Sequence, residues 1–306
     1  GIIVAYLAVI TLVPYVIRFA YRIGAVDVPC ERKVHCVPVP RIGGVAIFLG
    51  YILSILIFLP SSELRTGIIL ASSFIVLLGI LDDLYNISPK QKLLGQLIAA
   101  SVLVFYGVKI GFLTNPFGGT FYLGIFSIPF TIFWIVGVTN AVNLIDGLDG
   151  LAAGTSAISA VVLAIVAFTQ GIDNIGFIAL LLAASSAGFL WYNFNPAKIF
   201  MGDTGSMLLG LNLAVISVMS VTKSIAVLSI FVPIIILGVP LFDTLFAIIR
   251  RYQNNQPIFK ADKEHLHHCL LNKGLSHRNT VLLIYLINII LGVSAILLSN
   301  LTHNQG

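Results

Sequence analysis

The chain has 306 residues, of which 58% are hydrophobic and only 9% charged, and its mean hydropathy is +1.03. Soluble domains are about 25% charged, so the composition excludes a water-soluble enzyme and calls for a polytopic membrane protein, with residues 1–306 forming one integral membrane domain. The net charge of +5 is modest, no nucleic-acid partner is expected, and where the charges fall says more than their sum.

Apolar runs of the roughly 17–25 residues that cross a bilayer fall at 2–22, 42–60, 67–84, 92–108, 127–145, 151–170, 175–194, 205–221, 224–249 and 280–299. They predict an all-α fold of about ten transmembrane helices. The first run is too long for a signal-peptide core and carries no cleavage pattern, so it reads as a spanning helix. Between 109 and 126 the turn formers Asn115, Pro116, Gly118 and Gly119 separate β-prone residues, predicting a small β-hairpin outside the bilayer. Cys30, Cys36 and Cys269 show no Cys-x-x-Cys spacing and are expected to be reduced and incidental.

Orientation follows from Lys and Arg. Of the 17, fourteen lie in or beside the loops after helices one, three, five, seven and nine; only Arg65, Lys109 and Lys223 lie on the other side. Those five loops are therefore expected to be cytoplasmic and both termini extracytoplasmic. Ten of the 12 acids, all but Glu63 and Asp173, fall on the cytoplasmic side too. A face rich in both signs suits a site that binds a divalent cation and a polyphosphate together.

Five stretches carry candidate chemistry. Glu31–Gly44, with Lys33, two prolines near its end and Gly43-Gly44 entering helix two, is a stiff cationic loop; it suits an anionic headgroup or phosphate, or simply sets topology. Asp82-Asp83 closes helix three, where paired carboxylates crowd their charges and oppose the helix dipole unless a cation is near. Lys92 and Gln96, one turn apart on the next helix, are placed to meet those acids or a phosphate. Asn140, Asn143, Asp146 and Asp149 recur every third residue, a polar stripe ending an apolar helix, with Gly147 and Gly150 admitting close backbone approach to a ligand. In Asn193–Ser206, Gly202 and Gly205 bracket Asp203 and Thr204 just where a helix begins; amides there attract phosphate, Asp203 offers a metal ligand, and Phe200 a stacking surface. Either Asp203 or Thr204 could instead be a simple helix cap. The polar loop 250–279 holds Arg250, His265, His267 and His268. Lacking a cysteine pair or an acid at ligand spacing, the histidines fit phosphate or sugar contacts better than a transition metal. Asp243, two turns before Arg250, reads as one half of a structural ion pair.

Taken in order, Lys33…Pro40-Arg41-Ile42-Gly43-Gly44, Asp82-Asp83, Asn140-x-x-Asn143-x-x-Asp146-Gly147-x-Asp149-Gly150, Phe200-Met201-Gly202-Asp203-x-Gly205-Ser206 and His265-x-His267-His268 strongly resemble the polyprenyl-phosphate N-acetylhexosamine-1-phosphate transferases of the glycosyltransferase 4 type. The resemblance covers nearly the whole chain. It implies an enzyme that joins a UDP-N-acetylaminosugar to a polyprenyl phosphate at the cytoplasmic face of the plasma membrane and releases UMP. Mg²⁺ is the implied cofactor, with Mn²⁺ as a substitute, and a homodimer is a compatible assembly. His265-Leu266-His267-His268 resembles the N-acetylglucosamine-1-phosphate branch, which uses UDP-GlcNAc and undecaprenyl phosphate to start teichoic acid, O-antigen or enterobacterial common antigen. The phospho-N-acetylmuramoyl-pentapeptide branch usually carries three successive histidines, and threonines where this chain has Val37-Pro38-Val39-Pro40.

By position, the resemblance implies that Asp203 is the principal metal ligand and Asn143 a second contributor. Asp82 and Asp83 match the pair that deprotonates the lipid phosphate. Asp146 joins them as a catalytic candidate and lies, with Asp149, in the nucleotide site. Asp149, Asn193 and Phe200 are expected near uracil and Lys92 on the diphosphate. Lys33, Asn140, Gly147 and Arg250 are further substrate-site candidates, and His265, His267 and His268 match the sugar-reading region.

Two mechanisms are open: direct attack by the lipid phosphate, or a phospho-sugar held on an aspartate. Direct attack is favoured, because a lipid phosphate is already largely ionised at neutral pH. An organic-anion or metal transporter is the reading from another class, but the acids gather at one face instead of mid-membrane and no repeat is visible. A CDP-alcohol phosphotransferase is disfavoured because its Asp-Gly-x-x-Ala-Arg signature is absent: Leu151-Ala152-Ala153-Gly154 follows, without the arginine.

Overall fold

The computed structural model describes residues 1–27, 38–114, 120–220, 231–256 and 265–303. Helices dominate: α1 (Ile2–Ile23), α2 (Gly44–Phe58), α3 (Glu63–Tyr85), α4 (Pro89–Phe105), α5 (Ser127–Ile145), α6 (Leu151–Thr169), α7 (Asp173–Asn193), α8 (Gly202–Ser220), α9 (Phe231–Ile236), α10 (Gly238–Gln253), α11 (Leu266–Asn272) and α12 (His277–His303). Among the described residues seven helices are long and apolar enough to cross a membrane: α1, α3, α5, α6, α7, α8 and α12. Two short antiparallel pairs complete the fold, β1 (Val26–Asp27) with β2 (Val39–Pro40) and β3 (Phe112–Thr114) with β4 (Thr120–Tyr122). The second pair is the hairpin expected between 109 and 126, its turn lying outside the described residues.

Several helices begin before the apolar run that marks them. Ser62 accepts the Arg65 amide, so α3 starts at Glu63 and not at 67. Ser88 and Gln91 form a reciprocal capping box with Pro89 in the first turn, so α4 starts at Pro89 and not at 92. Caps are polar because their side chains replace missing backbone partners, and a run of apolar residues therefore begins a turn too late.

The ninth predicted helix is broken. Leu237 separates α9 from α10, and the stretch 224–230 lies outside the described residues. Pro240 has no N–H to give the Ile236 carbonyl. The Ser159 hydroxyl of α6 donates to that carbonyl at 3.1 Å and is itself bonded by Asn288 Nδ2 of α12 at 3.2 Å.

α8 is the axis of the fold, packed on α2, α3, α5, α6 and α7. Its first turn is met from outside by Pro40–Gly44, the segment that leads from β2 into α2. Phe200 N–H donates to the Pro40 carbonyl (2.7 Å), and Gly43 and Gly44 donate to the carbonyls of Phe200 (3.0 Å) and Met201 (2.9 Å). A Cβ on Gly44 would run into the Gly205 backbone, so the close approach of α2 to α8 needs glycine on both sides.

Mid-helix, the Tyr51 hydroxyl of α2 donates to Asn212 Oδ1 at 3.1 Å, and Asn212 Nδ2 donates to Ser72 Oγ of α3 at 2.9 Å. These buried polar groups are tolerable in an apolar bundle because they satisfy one another. Asn212→Ala should strand the Tyr51 hydroxyl at a cost of about 1–3 kcal/mol. It should lower the thermal unfolding midpoint of detergent-purified protein, and an unchanged midpoint would show that the network contributes nothing.

Candidate active site

Four helix ends meet at one place: the end of α3, the start of α4, the end of α5 and the start of α8. Asn86 in the left-handed region (φ 49°) and the Ser88 cap reverse the chain between α3 and α4. That turn swings Lys92 back over the carboxylates. Its Nζ lies 3.0 Å from Asp82 Oδ2 and 3.1 Å from Asn143 Oδ1 and is ion-paired with Asp203 Oδ2. Asn143 turns its amide the other way, donating to Asp203 Oδ1 (2.9 Å) and Ser206 Oγ (2.8 Å). One ammonium is thus ringed by two carboxylates and a carboxamide oxygen from α3, α5 and α8. A turn deeper, Asn140 and Gln96 pair amide to amide at 2.7 and 3.2 Å, fixing α5 against α4.

Asp83, beside Asp82 in sequence, points elsewhere. Its carboxylate accepts the backbone N–H groups of Asp203 and Thr204, both at 3.0 Å, and the Thr204 hydroxyl at 2.6 Å. Its own carbonyl accepts the Arg41 guanidinium, which also reaches Asn86 Oδ1 at 3.3 Å.

Beyond α5 the chain bends through Asp146–Gly150 into α6. Asp146 has no hydrogen bond to its carboxylate among the described residues. Burial first, then the charges of Asp203, Asp83 and Asp149, pushes it up to about 8. Asp149 Oδ2 accepts Asn195 Nδ2 (3.0 Å) and the Ala197 amide (3.1 Å). Asn193, 3% exposed, uses both ends of its amide on backbone: Oδ1 accepts Gly150 N–H at 3.0 Å and Nδ2 donates to the Ile199 carbonyl at 2.9 Å. The loop after α7 is therefore stitched to the loop after α5.

The histidine segment folds onto the same loop. Asp243 of α10 binds His265 Nδ1 with Oδ2 and the Leu266 amide with Oδ1, both at 2.8 Å, seating the first turn of α11. The structural ion pair expected of Asp243 is thus made with His265. The His265 and His267 rings stack at 5.9 Å, with His268 4.3 Å from His267. His267 is 2% exposed, neither of its ring nitrogens has a partner among the described residues, and a Cβ on Gly147 would overlap its ring. Burial, then neighbouring His268, pushes His267 down to about 4, so it is neutral at pH 7.

The structure gathers Asp82, Asp83, Lys92, Asn140, Asn143 and Asp203 at the helix junction, and Asp146, Gly147, Asp149, Asn193 and His267 around the adjoining loop. Phe200 lies in the segment zipped to Pro40–Gly44. Arg250 sits in the last turn of α10, and Lys33 lies outside the described residues. Sequence reasoning gave no role to Ser206, Arg41 or Asn195, although Ser206 and Arg41 stand in the quoted motifs. Ser206, one turn after Asp203, was the easiest to find; the partners of Arg41 are a distant carbonyl and Asn86, which no spacing announces.

The oxygens around Lys92 are a hard-cation donor set, and a cation already sits among them. Asp82, Asp203 and Asn143 thus suit Mg²⁺. Among the described residues no three His, Cys, Asp or Glu side chains converge on a metal position, so the donor set here is two carboxylates and the Asn143 carboxamide.

A model of glycosyl transferase family 4 matches residues 65–221. A probable undecaprenyl-phosphate N-acetylglucosaminyl 1-phosphate transferase of Bacillus subtilis is 51% identical over 302 residues, 98% of this chain and 84% of that protein. A decaprenyl-phosphate N-acetylglucosaminephosphotransferase of Mycobacterium leprae is 38% identical, covering 87% of this chain and 75% of its own length. A phospho-N-acetylmuramoyl-pentapeptide-transferase of Streptococcus suis is 34% identical over 70% of each chain.

Asp146 gives a signed pH prediction. The unfolded chain releases its proton above the usual 3.8, whereas the folded chain holds it to about 8. Stability therefore falls as pH rises across that window. Asp146→Asn should raise the unfolding midpoint of metal-free protein at pH 8 and leave it nearly unchanged at pH 4; equal effects at both would contradict the assignment.

Proposed function

Because the chain belongs to glycosyl transferase family 4, we propose that it transfers N-acetylglucosamine 1-phosphate from UDP-GlcNAc to undecaprenyl phosphate. The products are undecaprenyl-diphospho-N-acetylglucosamine and UMP, and the step opens a cell-envelope polysaccharide pathway. The observation that carries the reading is the ring of Asp82, Asn143 and Asp203 oxygens around the Lys92 ammonium. Such a cradle suits a reaction in which two phosphate anions must approach each other. The 51% identity to the Bacillus subtilis relative favours N-acetylglucosamine over the muramoyl-pentapeptide donor.

Residues 1–306 act as one membrane unit. The ten spans are α1 to α8, the broken pair α9–α10 counted once, and α12. The Lys and Arg distribution puts the junction of α3, α4, α5 and α8 at the cytoplasmic face of the plasma membrane and both ends of the chain outside.

In the reaction an oxygen of the lipid phosphate bonds to the phosphorus bearing the sugar. The bond from that phosphorus to the UMP oxygen breaks, and UMP leaves with the electron pair. Asp82, which touches the Lys92 ammonium, takes any proton left on the lipid phosphate. Lys92 offsets the negative charge of the diphosphate. Asp203, Asn143 and Asp82 would hold Mg²⁺, or Mn²⁺ in its place, which supplies positive charge to the diphosphate oxygens when bound. Asp149 keeps Oδ1 without a partner among the described residues and faces uracil as an acceptor. Asn193 shapes that loop through the Gly150 and Ile199 backbone. The histidine segment, with His267 buried against Gly147 between His265 and His268, forms the sugar-reading side of the site.

Purified protein given UDP-GlcNAc, undecaprenyl phosphate and Mg²⁺ should release UMP, and UDP-N-acetylmuramoyl-pentapeptide should give little. The reverse preference would move the chain to the other branch. Asp203→Ala should slow release by about 100-fold or more. Labelled phospho-sugar trapped on Asp82 without lipid acceptor would replace direct attack with a covalent route.

A further inference from the structure

Asp82 and Asp83 are chemically identical neighbours, yet they are spent differently. Asp82 touches the cradle ammonium. Asp83 is 7% exposed and commits both oxygens to the first turn of α8: Oδ1 to the Asp203 amide, Oδ2 to the Thr204 amide and hydroxyl. A helix start leaves several amides without partners; a residue just before the helix normally supplies the acceptor. Here that place is Met201, whose thioether is at best a weak acceptor, and the helix opens on Gly202, which has no side chain and a φ of +69°. A Cβ there would collide with the Asp83 carboxylate and the Arg41 carbonyl. The cap therefore comes from another helix, 120 residues earlier in the chain. Arg41 in turn grips the Asp83 carbonyl, and the flanking Pro40, Gly43 and Gly44 are bonded to Phe200 and Met201.

We propose that Asp83 is a positioning residue and not a proton acceptor: it caps α8 from α3 and so sets where the Asp203 carboxylate stands in the cradle, with Arg41 fixing Asp83 itself. The Pro40–Gly44 stretch is then a brace for the Asp203 turn and not a phosphate-binding loop. An Asp83 turned to a substrate proton would leave three donors on α8 unpaired, a cost of several hydrogen bonds. The assignment rests on the proposed transfer reaction only for its kinetic readout.

The test measures Mn²⁺ binding to purified protein by electron paramagnetic resonance, beside UMP release at several Mg²⁺ concentrations and pH values. The proteins are wild type, Asp83→Asn, Thr204→Val and the double variant. Positioning predicts that Asp83→Asn weakens Mn²⁺ binding about tenfold and slows turnover while the residual pH–rate profile keeps its wild-type shape. Thr204→Val should weaken binding severalfold, and the double variant should be no worse than Asp83→Asn alone, since both remove one interaction. Unchanged Mn²⁺ affinity in Asp83→Asn, or loss of the acidic limb of its pH profile, would overturn the proposal. If Asp83→Asn does not fold, Thr204→Val and Arg41→Gln decide: weakened Mn²⁺ binding supports the brace and unchanged binding overturns it. Wild type that releases no UMP would remove the transfer reading, while the Mn²⁺ comparison would still judge the cap.

Discussion

Carboxylates at the ends of apolar helices must be neutralised, and one ammonium does it here. Asp82 sits at the C-terminal end of α3, where the helix dipole disfavours an anion, and Asp203 in the first turn of α8, where the dipole favours one. Lys92 answers both, and Asn143 closes the ring. Without that cation the two acids could not share a partly buried space ionised. The same need makes the place suitable for a divalent ion and for a substrate that brings more negative charge.

Everything around the cradle holds α8 still. Capped from α3, braced along Pro40–Gly44 and packed through facing glycines on α2, its first turn has little freedom. Further along, the Tyr51–Asn212–Ser72 network ties it to α2 and α3. A rigid α8 gives Asp203 a fixed position, which electrostatic catalysis needs. The neighbouring loop is built differently, by exchange: Asn193 serves Gly150, Asp149 serves Asn195 and Ala197, and Asp243 serves the turn that lays His267 on Gly147. It is a surface assembled from three loops, as a nucleotide-sugar site would need.

Much of this was legible in the residues. Acids and amides clustered at the ends of apolar runs, and the three-residue period of Asn140, Asn143, Asp146 and Asp149 announced one helix end and its loop. What the sequence hid were directions. Adjacent residues on a helix point about 100° apart, so Asp82 and Asp83 read alike although one meets Lys92 and the other caps α8. Asn193 was placed near uracil by resemblance alone; the partners of its amide, the Gly150 and Ile199 backbone, carry no residue signature. The break between α9 and α10 did have a signal, Pro240 one turn past Ile236, but an unbroken apolar run outweighed it. Helix starts slipped by a turn wherever a polar cap preceded the apolar stretch, as at Ser62 and Ser88.

The most direct measurement is Mn²⁺ affinity, read by electron paramagnetic resonance, for purified wild type, Lys92→Met and Asp203→Ala in the absence of substrate. If the Lys92 ammonium stands where a divalent cation binds, Lys92→Met removes a competitor and binds Mn²⁺ more tightly than wild type, while Asp203→Ala loses the site. Equal affinity in all three proteins would contradict a cation cradle at the junction of α3, α4, α5 and α8.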